Sequence, residues 1–204
     1  MAPVDPKRFP SAAAYVERLD RGLDAHPHCE VKGSVVRQLV TTEFAQSVEP
    51  HLPSVLRAYF ADIPLVSAWI PEVHFHAILH AVFDTTFGGS EPRFLAWVRD
   101  ENRALMQSAL YKVIFLVVSP ERLFRSIGPR WGALRRGTTA ELLDASPTGG
   151  RMRVRFPSHL YSDLVTHVRA ASMAVIAEAS GARNVRVIPE HVTDTSVEFV
   201  ASWS

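Results

Sequence analysis

A change of hydrophobic period at Gly128-Pro129 constrains this chain more than any other feature. Before it, apolar residues recur at the spacing that lines one face of a helix. After it, stretches of strict alternation appear. Arg151-Met-Arg-Val-Arg-Phe156 is strictly two-periodic, so Met152, Val154 and Phe156 share one face of a half-buried strand. A helical pattern cannot serve as a strand, so the chain must build two kinds of layer. The fold class read from this is α+β. A flexible lead-in covers 1–10, a helical subdomain 11–127, and a ββαββ antiparallel-sheet subdomain 128–204, all within one compact unit.

In the helical part, Ser11 is placed to cap an Ala-rich helix. Lys32 to Phe44 reads as one helix on the spacing of Val35, Val36, Leu39, Val40 and Phe44, and Leu52 to Phe60 as a short one. Pro71 opens the clearest helix, since proline costs nothing at a first helical position, and Gly88-Gly89 ends it. Arg93 to Val118 is a long periodic stretch whose stripe drifts, which predicts a bend near Glu101–Asn102 or two helices; Val113–Val118 is open between helix and strand. Ser119-Pro120 starts another helix, to about Ile127. Later, Thr138–Asp144 is the hairpin partner of 151–156 across Pro147-Thr-Gly-Gly150. A helix then runs from Leu160 to Ala179, followed by strands at about 184–188 and 195–203.

Composition narrows the function classes. Hydrophobic residues make up 47% of 204, enough to bury a core, so disorder is excluded for most of the length. Twenty-two Lys+Arg against 21 Asp+Glu leave +1, which argues against strong attraction to nucleic acid or anionic membrane. One cysteine, Cys29, excludes an internal disulfide and a Cys-rich zinc site. The N-terminus lacks the apolar core of a signal peptide, and the longest apolar run, Val113–Val118, is far short of the roughly 20 residues that span a bilayer. The expected setting is cytoplasmic.

Nine histidines stand out. His74, His76 and His80 fall in one helical segment, where His76 and His80 are four apart and share a side. Two imidazoles at that spacing can hold a metal if a third ligand arrives from elsewhere. The intervening Ala77, Ile78 and Leu79 exclude the His-Glu-x-x-His protease pattern, and the competing reading is a pair of boundary histidines that hydrogen-bond locally or face solvent. His26 and His28 beside Cys29 allow a soft metal site, but Pro27 between them points to a turn. Arg122, Arg125, Arg130, Arg135 and Arg136 surround Trp131, a composition able to hold phosphate or stack a base, or simply to stay solvated in a linker. Arg151, Arg153 and Arg155 form the polar face of a strand and are expected to pair with Glu141 or Glu198. Ser158-His159 and Ser162-Asp163 sit at a helix start as capping residues, and no Gly-x-Ser-x-Gly elbow exists, so no catalytic set emerges. Trp69, Phe75, Tyr59, Phe60, Tyr111 and Phe115 supply aromatics for an apolar pocket or for ordinary core.

Cys29-Glu-Val-Lys-Gly-Ser-Val-Val-Arg37, Trp69-Ile-Pro71 leading into Phe75–Val82, and Ser119-Pro-Glu-Arg-Leu123 together resemble a paralogous family of myxobacterial proteins of about this length. That resemblance implies no particular activity. The layout is also similar to haem-nitric-oxide-binding sensors and to vinyl-reductase-like ligand-sensing domains. It has a helical first part, a Lys32-Gly33 start and a ββαββ end, with Gly181-Ala-Arg-Asn-Val-Arg-Val187, Val197-Glu-Phe-Val200 and Trp203 matching the closing hairpin. This second resemblance implies haem or zinc, and the residues depart from both. The Tyr-x-Ser-x-Arg clamp is missing, Phe94 to Met106 holds no histidine, and the last hairpin has no cysteine, only His191. Fold alone does not carry function.

The expectation is a non-enzymatic cytoplasmic regulatory or sensory domain that binds a small apolar ligand between its subdomains, with no cofactor and no metal. Trp69, Phe75, His76, His80, Tyr111 and Phe115 are the ligand-lining candidates. Arg130, Trp131, Arg135 and Arg136 are the partner-binding candidates, for the alternative of a protein–protein adaptor. A haem or metal gas sensor using His76 and His80 is the second alternative. A membrane or nucleic-acid partner is not expected, and a homodimer is left open.

Overall fold

The computed structural model describes residues 4–107 and 119–204; Tyr111, Phe115 and the Val113–Val118 run lie outside the described residues. The fold is α+β with two antiparallel sheets. Two compact units make it up, one from Met1–Glu91 with Ala133–Gly137, the other from Pro92–Gly132 with Thr138–Ser204. Among the described residues no helix is long and apolar enough to cross a membrane.

The first unit contains helices α1 (Pro10–Glu17), α2 (Gly33–Val40), α3 (Glu43–Val48), α4 (Ser54–Ala61) and α5 (Glu72–Thr86). Ser11 does not cap α1 as expected. Proline already opens the helix, and the backbone N–H groups of Ser11 and Ala12 donate to Asp84 Oδ2 of α5 at 2.9 and 3.1 Å, a cap supplied by tertiary structure. The single helix expected over 32–44 is broken at Thr41-Thr42. The Thr42 hydroxyl accepts from Ala45 N at 3.2 Å and starts α3 afresh, because a threonine side chain can offer the backbone a cap in place of a continued helix.

A small sheet crosses this unit in the order β2-β1-β3, with β1 (Glu30–Lys32) central, β2 (Trp69–Pro71) on one side and β3 (Arg135–Arg136) on the other. Val31 is opposite Ile70 and Arg135, and all three are buried. Glu30, Lys32, Trp69 and Arg136 therefore share the other face, since neighbouring strand residues alternate sides.

The second unit opens with α6 (Glu91–Met106), which stays helical through Glu101–Asn102; the choice between a bend and two helices over 93–118 runs into residues outside the described ones. Asn102 Nδ2 donates to Ser172 Oγ at 3.3 Å, and Arg103 reaches Glu178 at 3.3 Å. Both acceptors lie on α9 (Asp163–Ala179), which Ser162 caps through Val165 N. Helices α7 (Pro120–Arg125), capped by Ser119, and α8 (Ile127–Leu134) come between.

The larger sheet has the order β4-β5-β7-β6, from β4 (Thr139–Ser146), β5 (Gly149–Arg155), β6 (Arg186–Glu190) and β7 (Ser196–Ser202). Met152, Val154, Val197 and Phe199 are fully buried on its inner face. The outer face pairs Arg153 with Glu198, Arg155 with Glu141 and Arg151 with Asp144. Gly149 and Gly150 belong to the strand and not to the turn. A Cβ on Gly150 would lie 2.8 Å from Asp144 O and 2.9 Å from the Phe124 ring, so close packing demands glycine there.

Candidate functional site

The polar groups that need explaining gather on α5. Every residue from Glu72 to Val82 is buried, so this helix is enclosed on all sides, yet the stretch carries a carboxylate and three imidazoles. Apolar helices are the ordinary occupants of such positions, because each polar group must be hydrogen-bonded to offset its lost water.

Glu72 and Arg135 form the first link. Arg135 Nε donates to Glu72 Oε1 at 3.0 Å, with side chains only 6% and 0% exposed. Burial alone would raise the Glu72 pKa, but the Arg135 charge and the His76 hydrogen bond outweigh it and hold the carboxyl below its ordinary range. His76 Nε2 lies 3.6 Å from the same oxygen, and its Nδ1 shares a hydrogen bond with the Tyr15 hydroxyl at 3.2 Å. The Tyr15 ring stacks on His80 with centroids 5.1 Å apart, and His80 Nδ1 meets the Ser11 hydroxyl at 3.1 Å. The result is a continuous spine, Arg135–Glu72–His76–Tyr15–His80–Ser11, drawn from β3, α5 and α1, buried as far as His80 and half-buried at Ser11. Neighbours in such a chain polarise and orient one another.

His80 is pushed down to about 3, first by burial and then by the nearby His76 and Arg18. His74 is also lowered, mainly by burial, and its Nδ1 shares a 2.7 Å hydrogen bond with the Tyr59 hydroxyl. Both imidazoles are therefore neutral at physiological pH. Cys29 borders the spine. Its carbonyl accepts from Glu72 N at 2.8 Å, and its buried thiol points to Gly137 O at 3.5 Å. Burial, then the Glu72 charge, push the thiol up to about 11. A thiol held protonated at neutral pH is a poor nucleophile.

The sequence candidates separate as follows. Phe75, His76 and His80 lie together inside the first unit on α5. Trp69 is half-buried on the outer face of the small sheet, where Lys32 Nζ and the Arg136 guanidinium carbon approach its ring centroid at 4.1 and 3.9 Å. Arg135 is not a solvated linker residue; it is buried against Glu72. Arg136 stays exposed and reaches Glu30 at 3.4 Å. In the second unit, Trp131 is buried and donates to Thr138 Oγ1 at 3.0 Å, while Arg130 is exposed and donates to Ser126 Oγ at 2.7 Å. Sequence reasoning missed Glu72, Arg135, Tyr15 and Ser11 as members of one cluster. Glu72 was readable, standing four residues before His76; the other three have no local signal because tertiary structure brings them in.

The described residues do not fit a haem. Helix α6 carries no histidine or cysteine. On α5, His76 faces Tyr15 through one ring nitrogen and Glu72 through the other, and His80 is stacked on Tyr15 inside the packed core. Among the described residues no group of three or more His, Cys, Asp or Glu side chains is placed to hold a metal ion.

No family model and no curated protein matches the chain. Among solved structures, the crystal structure of the Fe(II) unliganded H-NOX protein from K. algicida is similar at a TM-score of 0.59 with 12% identity, over 85% of this chain and 96% of that one. A point variant of the same protein is similar at 0.54, with the same identity and coverage. At that identity the likeness is one of fold, and the helical first part followed by ββαββ is an H-NOX-like layout.

Proposed function

We propose that this chain is a cytoplasmic, non-enzymatic regulatory domain on an H-NOX-like fold, which takes up a small apolar ligand against α5 without haem. One observation carries the reading: a helix enclosed on every side that nevertheless holds Glu72, His74, His76 and His80 in hydrogen-bonded positions. Such a network fixes the helix in one arrangement, and a ligand that displaces Phe75 or His80 would shift it to another. The similar solved structure is that of an Fe(II) H-NOX protein; here the α5 imidazoles are already engaged by Glu72, Tyr15, Tyr59 and Ser11, which supports an occupant held by packing against Phe75 and not by coordination.

Denaturing extraction and mass spectrometry of protein purified under native conditions, with titration by an apolar fluorescent dye, tests this. A stoichiometric small molecule, or saturable dye binding weakened by Phe75→Ala, is expected. An empty protein that binds no dye overturns the ligand. Protein made with haem supplied is expected to show no Soret band; a stoichiometric one would restore the haem sensor reading. Of the partner-binding candidates, Arg130 in the second unit and Arg136 in the first are exposed, and an adaptor role rests on one or the other. Reversing Arg130 or reversing Arg136, each alone, should then remove a captured partner, and partners unchanged by either variant end that version.

A further inference from the structure

Exposed large apolar side chains are concentrated at one place in the first unit. Leu65 and Val66 are 73% and 61% exposed, with Ile63 beside them. They sit on the loop from α4 to β2. That loop is fixed in position: Ala68 N donates to Leu65 O at 3.0 Å, and Gly33 N donates to Ala68 O at 2.8 Å. The next residue is Trp69, directly opposite Lys32 in the sheet and flanked by Lys32 and Arg136. Asp62 is exposed at the start of the loop. Apolar side chains presented this way by an ordered turn mark an interaction surface.

The charges on this surface say what covers it. Glu30 and Asp62 balance Lys32 and Arg136, so the patch is neutral but carries both signs. Arg136 is paired with Glu30, whereas among the described residues no cation meets Asp62 and no carboxylate meets Lys32. The acid stands where the apolar loop begins and the base where it ends. A partner of one sign would be repelled by half of the patch. A second copy turned by a two-fold axis would bring each Asp62 to the other copy's Lys32, because residue i then meets j and j meets i.

We propose that the chain forms a two-fold dimer through this surface, with Leu65 and Val66 packed on their counterparts and Trp69 at the margin, and with Lys32–Asp62 pairs between copies. The dimer does not depend on the ligand, so its test is separate from that of the regulatory reading.

Sedimentation velocity of the full chain from about 1 to about 100 µM is the test. The wild type should dimerise, and Leu65→Asp should weaken the dimer at least about tenfold. Lys32→Glu alone and Asp62→Lys alone should each be monomeric, and an equimolar mixture of the two should recover the dimer, since each exchanged charge then meets its opposite. Circular dichroism melting confirms that each variant folds. Where Lys32→Glu does not fold, Leu65→Asp decides, because that side chain is mostly in water. A wild type that stays monomeric throughout overturns the proposal, as does a dimer indifferent to Leu65→Asp. Two folded charge variants that fail to recover the dimer on mixing overturn the pairing.

Discussion

His80 is the residue whose environment most changes its chemistry. Its ordinary pKa of 6.5 falls to about 3 in the folded chain. Below 6.5 the unfolded chain therefore binds a proton that the folded chain refuses until about 3, so stability is complete above 6.5 and is lost as pH falls through that window. His74 is displaced in the same direction. Between pH 7 and pH 5 the His80 contribution lost is about 2 kcal/mol. Urea denaturation at the two pH values should show this loss in the wild type and most of it gone in His80→Gln; an equal loss in both would clear His80 of the effect. Glu72 acts in a lower window, because its depressed carboxyl keeps its contribution until pH drops below the ordinary 4.5. Glu72→Gln should cost about 3–5 kcal/mol at neutral pH, since it leaves the Arg135 charge buried without its carboxylate. The double variant Glu72→Met with Arg135→Met should cost less than the single one, and denaturation midpoints of the two decide it.

Elements with their own hydrophobic period were legible, and elements without one were not. The stripe of α5, the alternation of Met152, Val154 and Phe156, and the face of α9 each repeat enough times to declare themselves. The sheet β2-β1-β3 has strands too short for any period, and β3 reaches β1 from a distant part of the sequence. Arg135 accordingly read as one more charge in a basic run, although the register with Val31 turns it inward. Thr41-Thr42 was lost inside an apolar stripe because capping is a competition that spacing does not display. Gly33 is a comparable case. It begins α2, where alanine is the better helix former by about 1 kcal/mol. A Cβ there, however, would lie 2.1 Å from the Leu65 carbonyl oxygen, a backbone atom that must move with its whole turn. Gly33→Ala is therefore expected to destabilise by about 2 kcal/mol despite the gain in propensity. A melting temperature at or above the wild type would show that the turn yields freely.

At the scale of the whole molecule, the two units are not equivalent in how the chain completes them. The second is contained within residues 92–204, with its sheet, α9 and the buried side chains of Met152, Val154, Leu160, Val197 and Phe199. The first needs Ala133–Gly137, which the chain delivers only after leaving that unit at Glu91. Those residues bring β3 to the edge of β1 and the Arg135 guanidinium to Glu72. A fragment of residues 1–91 would therefore keep the Glu72 carboxylate on α5 with its cation removed, and leave one side of β1 unpaired. The loss of a buried partner is on the order of 3–5 kcal/mol, a large share of the stability of an ordinary domain. The expectation is that 1–91 shows no cooperative unfolding transition while 92–204 does, measured by circular dichroism on heating. Glu72→Leu within the 1–91 fragment should recover part of the transition, because it removes the uncompensated charge without restoring the strand. If 1–91 unfolds cooperatively at the temperature of the intact chain, then β3 and Arg135 are accessories, and the spine that ends on them is complete at Glu72.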